Sequence, residues 1–135
     1  MNVEICRIIE FPIISDIRGN LIFMENIRHI PFDIKRIFYV FEVPTDVRRG
    51  GHAHKTVREV IIPLVGSIDI SVDDGYTNDT FHLNKPSQGL YVSSMIWREL
   101  YNYSPGSILL VLASTPYDPS DYYKTYQEFL GVLRG

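Results

Sequence analysis

The residues richest in chemical possibility lie in Arg49-Gly50-Gly51-His52-Ala53-His54-Lys55. Side chains alternate along a strand, so two histidines two positions apart leave the same face. Glu59 and Gly66 extend the run to H-x-H-x4-E-x6-G. Two neutral imidazoles and a carboxylate are a metal-ligating set. The same groups, without a cation and with apolar walls, transfer protons near neutral pH. In that second role Glu59 holds a ring nitrogen of one histidine and sets its tautomer. Its plainer role is a surface ion pair with Arg58 or Lys55, and the plainest role of the histidines is as solvated side chains at a strand edge.

Arg18, Arg36, Arg49 and Arg98 form a second group. Arg36 interrupts the apolar run Ile34–Val43, which predicts a guanidinium pointing into a wet cavity. Arg49 directly precedes the histidine pair. Guanidinium groups grip phosphate oxygens bidentately, so arginines converging on an acid–base pair suit a diphosphate-bearing substrate. Arg48 and Arg58 read as surface charge. Phe38, Tyr39, Tyr91, Trp97, Tyr101 and Tyr103 sit in or beside the same strands. Most such residues fill the core, while one or two stack on a base or sugar ring. Tyr117 and Tyr122, in Tyr117-Asp118-Pro119-Ser120-Asp121-Tyr122, read as packing residues rather than catalysts.

The elements that must position these groups are short strands. Apolar segments recur between turn residues, the pattern of an all-β chain. Ser15–Asn20 reads as a turn before a strand at Leu21–Glu25. Further strands are expected at Ile34–Val43, His52–Lys55, Glu59–Val65, Ser67–Asp73, Phe81–Leu83, Gly89–Val92, Ile96–Tyr103 and Ser107–Ala113. In Ser67–Asp73 the alternation is clean, with Ile68, Ile70 and Val72 on one face, and Asp74-Gly75 then marks a hairpin turn. Ile108–Leu112 is unbroken hydrocarbon, as in a strand buried on both faces. Beyond Pro119 the pattern changes, and Asp121–Leu130 reads as a helix capped by Ser120 or Asp121. Nine or ten strands followed by one helix predict a double-sheet jelly roll.

Composition bounds the answer. With 135 residues the chain holds one domain with a core, spanning 1–135. Its net charge of −3, without a Lys/Arg block, argues against nucleic acid. The single cysteine, Cys6, cannot staple the domain internally. Met1-Asn2-Val3-Glu4 has no basic stretch leading into an apolar run, so no signal peptide is expected. No apolar run approaches the roughly 18 residues of a spanning helix. The expected setting is cytoplasmic, with no membrane partner.

The spacing of His52, His54, Glu59 and Gly66 resembles the first motif of the cupins. Cupin metal sites complete their ligand set with a histidine from a second motif. In the H-x3-N pattern that ends here at Asn102, that place is held by Arg98, whose guanidinium offers no lone pair. His82 lies outside the motif. More closely, the chain resembles the WxcM-like sugar cupins, the dTDP-4-keto-6-deoxyglucose 3,4-ketoisomerases. The matching pieces are Arg18-Gly19, Ile30–Arg36, Arg49–Lys55, Gly89–Val92, Trp97-Arg98-Glu99, Val111–Ser114, Tyr117-Asp118 and Asp121-Tyr122. They run in the family's order over roughly residues 8–130.

The resemblance implies a cupin double-stranded β-helix, an all-β jelly roll with a short C-terminal helix, without metal or other cofactor. It implies a homodimer that exchanges strands and a thymidine diphosphate sugar as substrate. By it, His52 is the base that takes the C3 proton of dTDP-4-keto-6-deoxy-D-glucose, and His54 returns or shuttles that proton. Arg18, Arg36, Arg49, Tyr39, Tyr91, Arg98 and Glu99 are the expected substrate-binding residues. The product is a 3-keto sugar, later aminated for a surface polysaccharide. Phe38-Tyr39 stands where relatives often carry two tyrosines. Arg at position 18 matches members forming the galacto product and Arg at 98 those forming the gluco product, so the resemblance leaves the C4 configuration open. The alternatives are a 3,5-epimerase of the rhamnose type and a nucleotide-sugar-binding cupin without catalysis.

Overall fold

A computed structural model describes residues 5–135, and Met1–Glu4 lie outside the described residues. The strands are β1 (Arg7–Glu10), β2 (Ile13–Asp16), β3 (Gly19–Ile22), β4 (Arg36–Phe41), β5 (Arg49–His54) and β6 (Glu59–Val65). They continue as β7 (Ile68–Asp73), β8 (Asn78–Leu83), β9 (Gln88–Val92), β10 (Trp97–Tyr101), β11 (Ile108–Ala113) and β12 (Tyr122–Tyr123). One helix, α1 (Tyr126–Arg134), follows. Two antiparallel sheets, ordered β1-β9-β6-β11-β4 and β12-β5-β10-β7-β8, face each other. This is the expected all-β architecture with a short C-terminal helix.

Alternation builds the core between the sheets. Ile68, Ile70 and Val72 of β7, Ile61 of β6, Leu90 and Val92 of β9 and Val111 of β11 bury their side chains together there. Ser71 and Asp69 take the other face of β7, as their period of two requires. A second apolar layer, with Phe11, Ile30 and Phe32, covers the outer face of β6, β9 and β11. A third joins α1 to the outer face of the other sheet, where Phe129 packs with Ala53 and Trp97. Asp74 closes the β7–β8 hairpin by accepting from the amides of Tyr76 and Thr77, each at 2.8 Å.

Three segments differ from expectation. Ser15–Asn20 is the heart of a hairpin rather than a turn before a strand at Leu21–Glu25. Asp16 pairs with Gly19 and its carboxylate accepts from the Arg18 amide at 2.8 Å, so Ile17-Arg18 form a tight loop between β2 and β3. That hairpin is a sheet of its own. The expected helix Asp121–Leu130 begins later, at Tyr126. Asp121 accepts hydrogen bonds from the Thr56 and Val57 amides, and Tyr122 and Tyr123 pair with His54 and Ala53 of β5. The cap is Thr125, whose hydroxyl accepts from the Glu128 amide at 3.1 Å. Finally, Ile34 and Val43 lie outside β4, which is confined to Arg36–Phe41.

Candidate active site

The inner face of β5 carries His52 and His54, as alternation demands. Across from them on β10, Arg98 pairs in register with His52, and Glu59 projects from the start of β6. A β-bulge separates the histidines from Arg49. Three steps along β5, from His52 to Arg49, match two along β10, from Arg98 to Leu100. The extra residue shifts the alternation, so Arg49 shares the inward face of Leu100. Gly50 makes this possible. Its φ of +73° suits glycine, and a Cβ there would lie 2.9 Å from Leu100 Cδ1.

These residues surround a cavity of about 260 Å³, walled by Phe38, Arg49, His52, Glu59, Arg98 and Tyr122 among others. A neighbouring recess of about 330 Å³ shares Phe38 and Tyr122 and adds Arg36 and Tyr117. The guanidinium of Arg36 lies over both the Phe38 and Tyr117 rings, and its Nε is buried with no protein partner.

The histidines are in contact, with Nε2 to Nε2 at 3.2 Å and the rings edge to face. His54 is fully buried and lies between two carboxylates. Glu59 Oε2 is 3.6 Å from its Nε2, and Asp121 Oδ2 is 3.4 Å from its Nδ1. The Tyr122 ring packs on both imidazoles, with centroids 4.9 and 4.5 Å away. Arg98 is 1% exposed. Its Nη1 donates to Glu59 Oε1 at 2.6 Å, and its Nη2 donates to the carbonyls of Ser93 and Ile96. Glu59 is therefore an interior counter-charge to Arg98, not a partner of Arg58 or Lys55.

The electrostatics favour a neutral base. Burial, then the charge of Arg98 and the neighbouring His54, push His52 down from 6.5 to about 3. Burial alone would raise Glu59, but the His54 imidazole, 3.6 Å away and too far for a hydrogen bond, and the charge of Arg98 hold it at about 2. Burial raises the Tyr122 hydroxyl, and the charge of Arg36 opposes it. A neutral imidazole at the cavity wall, an ionised carboxylate beneath it and a fixed guanidinium beside it suit proton removal from a carbon next to a carbonyl.

The structure gathers His52, Arg49 and Arg98 at the cavity, with His54 buried behind His52 and Arg36 in the neighbouring recess. The other expected binding residues face elsewhere. Tyr39 is 65% exposed on the outer face of β4, because Phe38 and Val40 take the inner one. Tyr91 is buried in the outer layer against Phe32, with Arg7 over its ring. Glu99 points away from Arg98 by alternation, and it accepts from Trp97 Nε1 and Arg48 Nη1. Arg18 sits on the β2–β3 loop, where its only side-chain hydrogen bonds among the described residues go to Asp16. His82 lies outside the cavity, bonded to Asp69 at 2.6 Å. Asp121 and Tyr122 are the residues that sequence reasoning missed. The signal was the pairing of a two-residue strand with β5, which no local pattern announces.

Comparison with known proteins places the chain among relatives of the same fold. Residues 4–134 match the family described as FdtA: WxcM-like, C-terminal. A TDP-4-oxo-6-deoxy-alpha-D-glucose-3,4-oxoisomerase from Aneurinibacillus thermoaerophilus is 39% identical over 123 residues, which are 91% of this chain and 88% of that protein. A 3,4-ketoisomerase from Helicobacter canadensis superposes with a TM-score of 0.94 at 42% identity, covering 96% of this chain and 98% of the other. A mutant of the 3,4-ketoisomerase QdtA from Thermoanaerobacterium thermosaccharolyticum, solved with TDP-4-keto-6-deoxyglucose, gives a TM-score of 0.91 at 38% identity, covering 94% and 92%. Matched in this way along nearly its whole length, the chain belongs to the WxcM-like family of FdtA.

Proposed function

We propose that this protein is a TDP-sugar 3,4-ketoisomerase that moves the carbonyl of TDP-4-keto-6-deoxyglucose from C4 to C3. The observation that carries this reading is His52, a neutral imidazole on the cavity wall whose Nε2 contacts the buried His54. A C4 ketone acidifies the C3 hydrogen. His52 takes that proton, and an enediolate spans C3 and C4. Return of a proton to C4 leaves the carbonyl at C3. The fixed charge of Arg98 stabilises the oxyanion, while Arg49 on the cavity wall and Arg36 in the adjoining recess, its Nε without a protein partner, bind the diphosphate. Related 3,4-ketoisomerases at about 40% identity support the same substrate class.

The active unit in this reading is a homodimer that exchanges the β2–β3 hairpin. Three features support it. Among the described residues the hairpin pairs only with itself, β4 is a sheet edge, and both expose apolar side chains: Ile13, Ile14 and Leu21 on the hairpin, Ile37, Tyr39 and Phe41 on β4. Exchange is also the route by which Arg18 reaches a cavity, that of the partner.

The test is incubation with TDP-4-keto-6-deoxyglucose in D2O, with NMR of the product. We expect deuterium at the exchanged carbon and a 3-keto sugar. His52→Asn is expected to lower both exchange and turnover by about 10²–10⁴-fold while the thermal melt stays cooperative. An inverted carbon with the carbonyl still at C4 would assign an epimerase instead. Tight TDP-sugar binding with no exchange would assign a binding protein.

A further inference from the structure

We propose that Asp121 is a positioning residue for the base pair. It holds the hydrogen of His54 on Nδ1, so that His54 Nε2 presents a lone pair to His52. This inference deepens the function proposed above and rests on His52 as the base.

Asp121 lies in the single turn Pro119–Asp121 and is buried. Its Oδ1 accepts from the Thr56 hydroxyl at 2.7 Å and the Thr56 amide at 3.1 Å, and its Oδ2 accepts from the Val57 amide at 3.1 Å. Burial raises its pKa, but these donors outweigh burial and keep it below the ordinary range. Asp121 is thus a fixed anion, its Oδ2 also accepting from the Thr56 amide at 3.3 Å, and Oδ2 stands 3.4 Å from His54 Nδ1. That nitrogen is buried and makes no aligned hydrogen bond. Such contacts tighten when substrate closes a site. An anion facing a ring nitrogen favours a hydrogen on that nitrogen.

The other groups around His54 fit the assignment. Its Nε2 is 3.2 Å from His52 Nε2 and 3.6 Å from Glu59, whose Oε1 is bonded to Arg98. The Tyr122 ring is tilted by 55° to that of His54, with centroids 4.5 Å apart. With Nδ1 protonated, His54 Nε2 accepts the Nε2 hydrogen of His52. His52 Nδ1 is then the unprotonated nitrogen offered to the sugar. When the C3–H bond breaks, its proton forms a bond to His52 Nδ1. The Nε2 proton of His52 moves onto His54 Nε2, where Glu59 and Asp121 balance the charge. The same transfers run backward as C4 is protonated.

The direct test is NMR on ¹⁵N-histidine-labelled full-length protein, with the His54 signals assigned by their loss in His54→Gln. Two-bond correlations distinguish the tautomers. A hydrogen on Nδ1 with a bare Nε2 is expected. A hydrogen on His54 Nε2, alone or together with Nδ1, overturns the inference. Asp121→Asn is expected to lower kcat by about 10²-fold with KM for the nucleotide sugar little changed. A folded Asp121→Asn protein with wild-type kcat also overturns it. The asparagine must set its NH2 against a backbone amide of Thr56 or Val57, so the wild-type tautomer decides the matter where that variant does not fold. An active His52→Asn would sink the proposed function, whereas an inactive one combined with the wrong His54 tautomer would sink this inference alone.

Discussion

At the residue scale the site is governed by one imbalance of charge and solvent. Arg98 is buried beside His52, and its charge can be tolerated only because Glu59 and two carbonyls accept from it. Burial first, and then this charge, keep the adjacent imidazole neutral. This arrangement has a cost in acid. His52 is held near 3 from an ordinary 6.5, so as pH falls the unfolded chain takes up the proton first. The contribution of this residue to stability is complete above about pH 6.5 and is lost progressively toward pH 3. Glu59, held near 2 from 4.5, has the same sign and acts between those values. Thermal melts from neutral to acidic pH should therefore decline from about pH 6.5 downward. In His52→Asn the decline should begin only in the carboxylate range. An identical profile in that variant would mean that His52 is as well solvated in the folded state as in the unfolded one.

At the element scale the decisive device is the bulge in β5. A regular strand would turn Arg49 to the outer face with Gly51 and Ala53. One inserted residue, with Gly50 in the left-handed region, brings it inward instead. Gly50→Ala combines an unfavourable φ with a clash against Leu100, and we expect it to cost about 1–3 kcal/mol of stability in denaturant titrations. It should also raise KM for the TDP-sugar by about tenfold, the loss of roughly one charge-assisted hydrogen bond. An unchanged KM would remove Arg49 from the ligand. The short strand β12 is the second device. It carries Tyr122 over the histidines and leaves α1 to anchor the segment through Phe129.

At the scale of the whole molecule, the β2–β3 hairpin is the element least satisfied by its own chain. Its apolar residues stand in water, and Arg18 is 86% exposed at its tip. Placed on a second copy, the hairpin would bury that surface and deliver Arg18 to the other cavity. Mixing supplies the test. Arg18→Ala and His52→Asn proteins, each inactive, should regain roughly a quarter of the wild-type rate after co-refolding, because half the dimers are mixed and each holds one intact site. No recovery from a mixture proven to contain heterodimers would place Arg18 in the site of its own chain or outside the site altogether.

Much of this protein is legible in local pattern. A period of two forces His52 and His54 onto one face, and alternating Ile68, Ile70 and Val72 announce the inward side of β7. The turn residues at Asp74-Gly75 close the hairpin they predict. These signals are local because strand geometry and turn chemistry act over a few residues. The alternation rule fails where neighbours intervene. Arg49 faces inward because of a bulge that exists only against β10. Tyr39, Tyr91 and Glu99 face away because the sheets assign each strand an inside and an outside. Asp121 reaches His54 across a separation in sequence of more than sixty residues, closed only when β12 docks on β5. Which groups share a cavity is settled by that packing, since burial and charge pairing act through space and not along the chain.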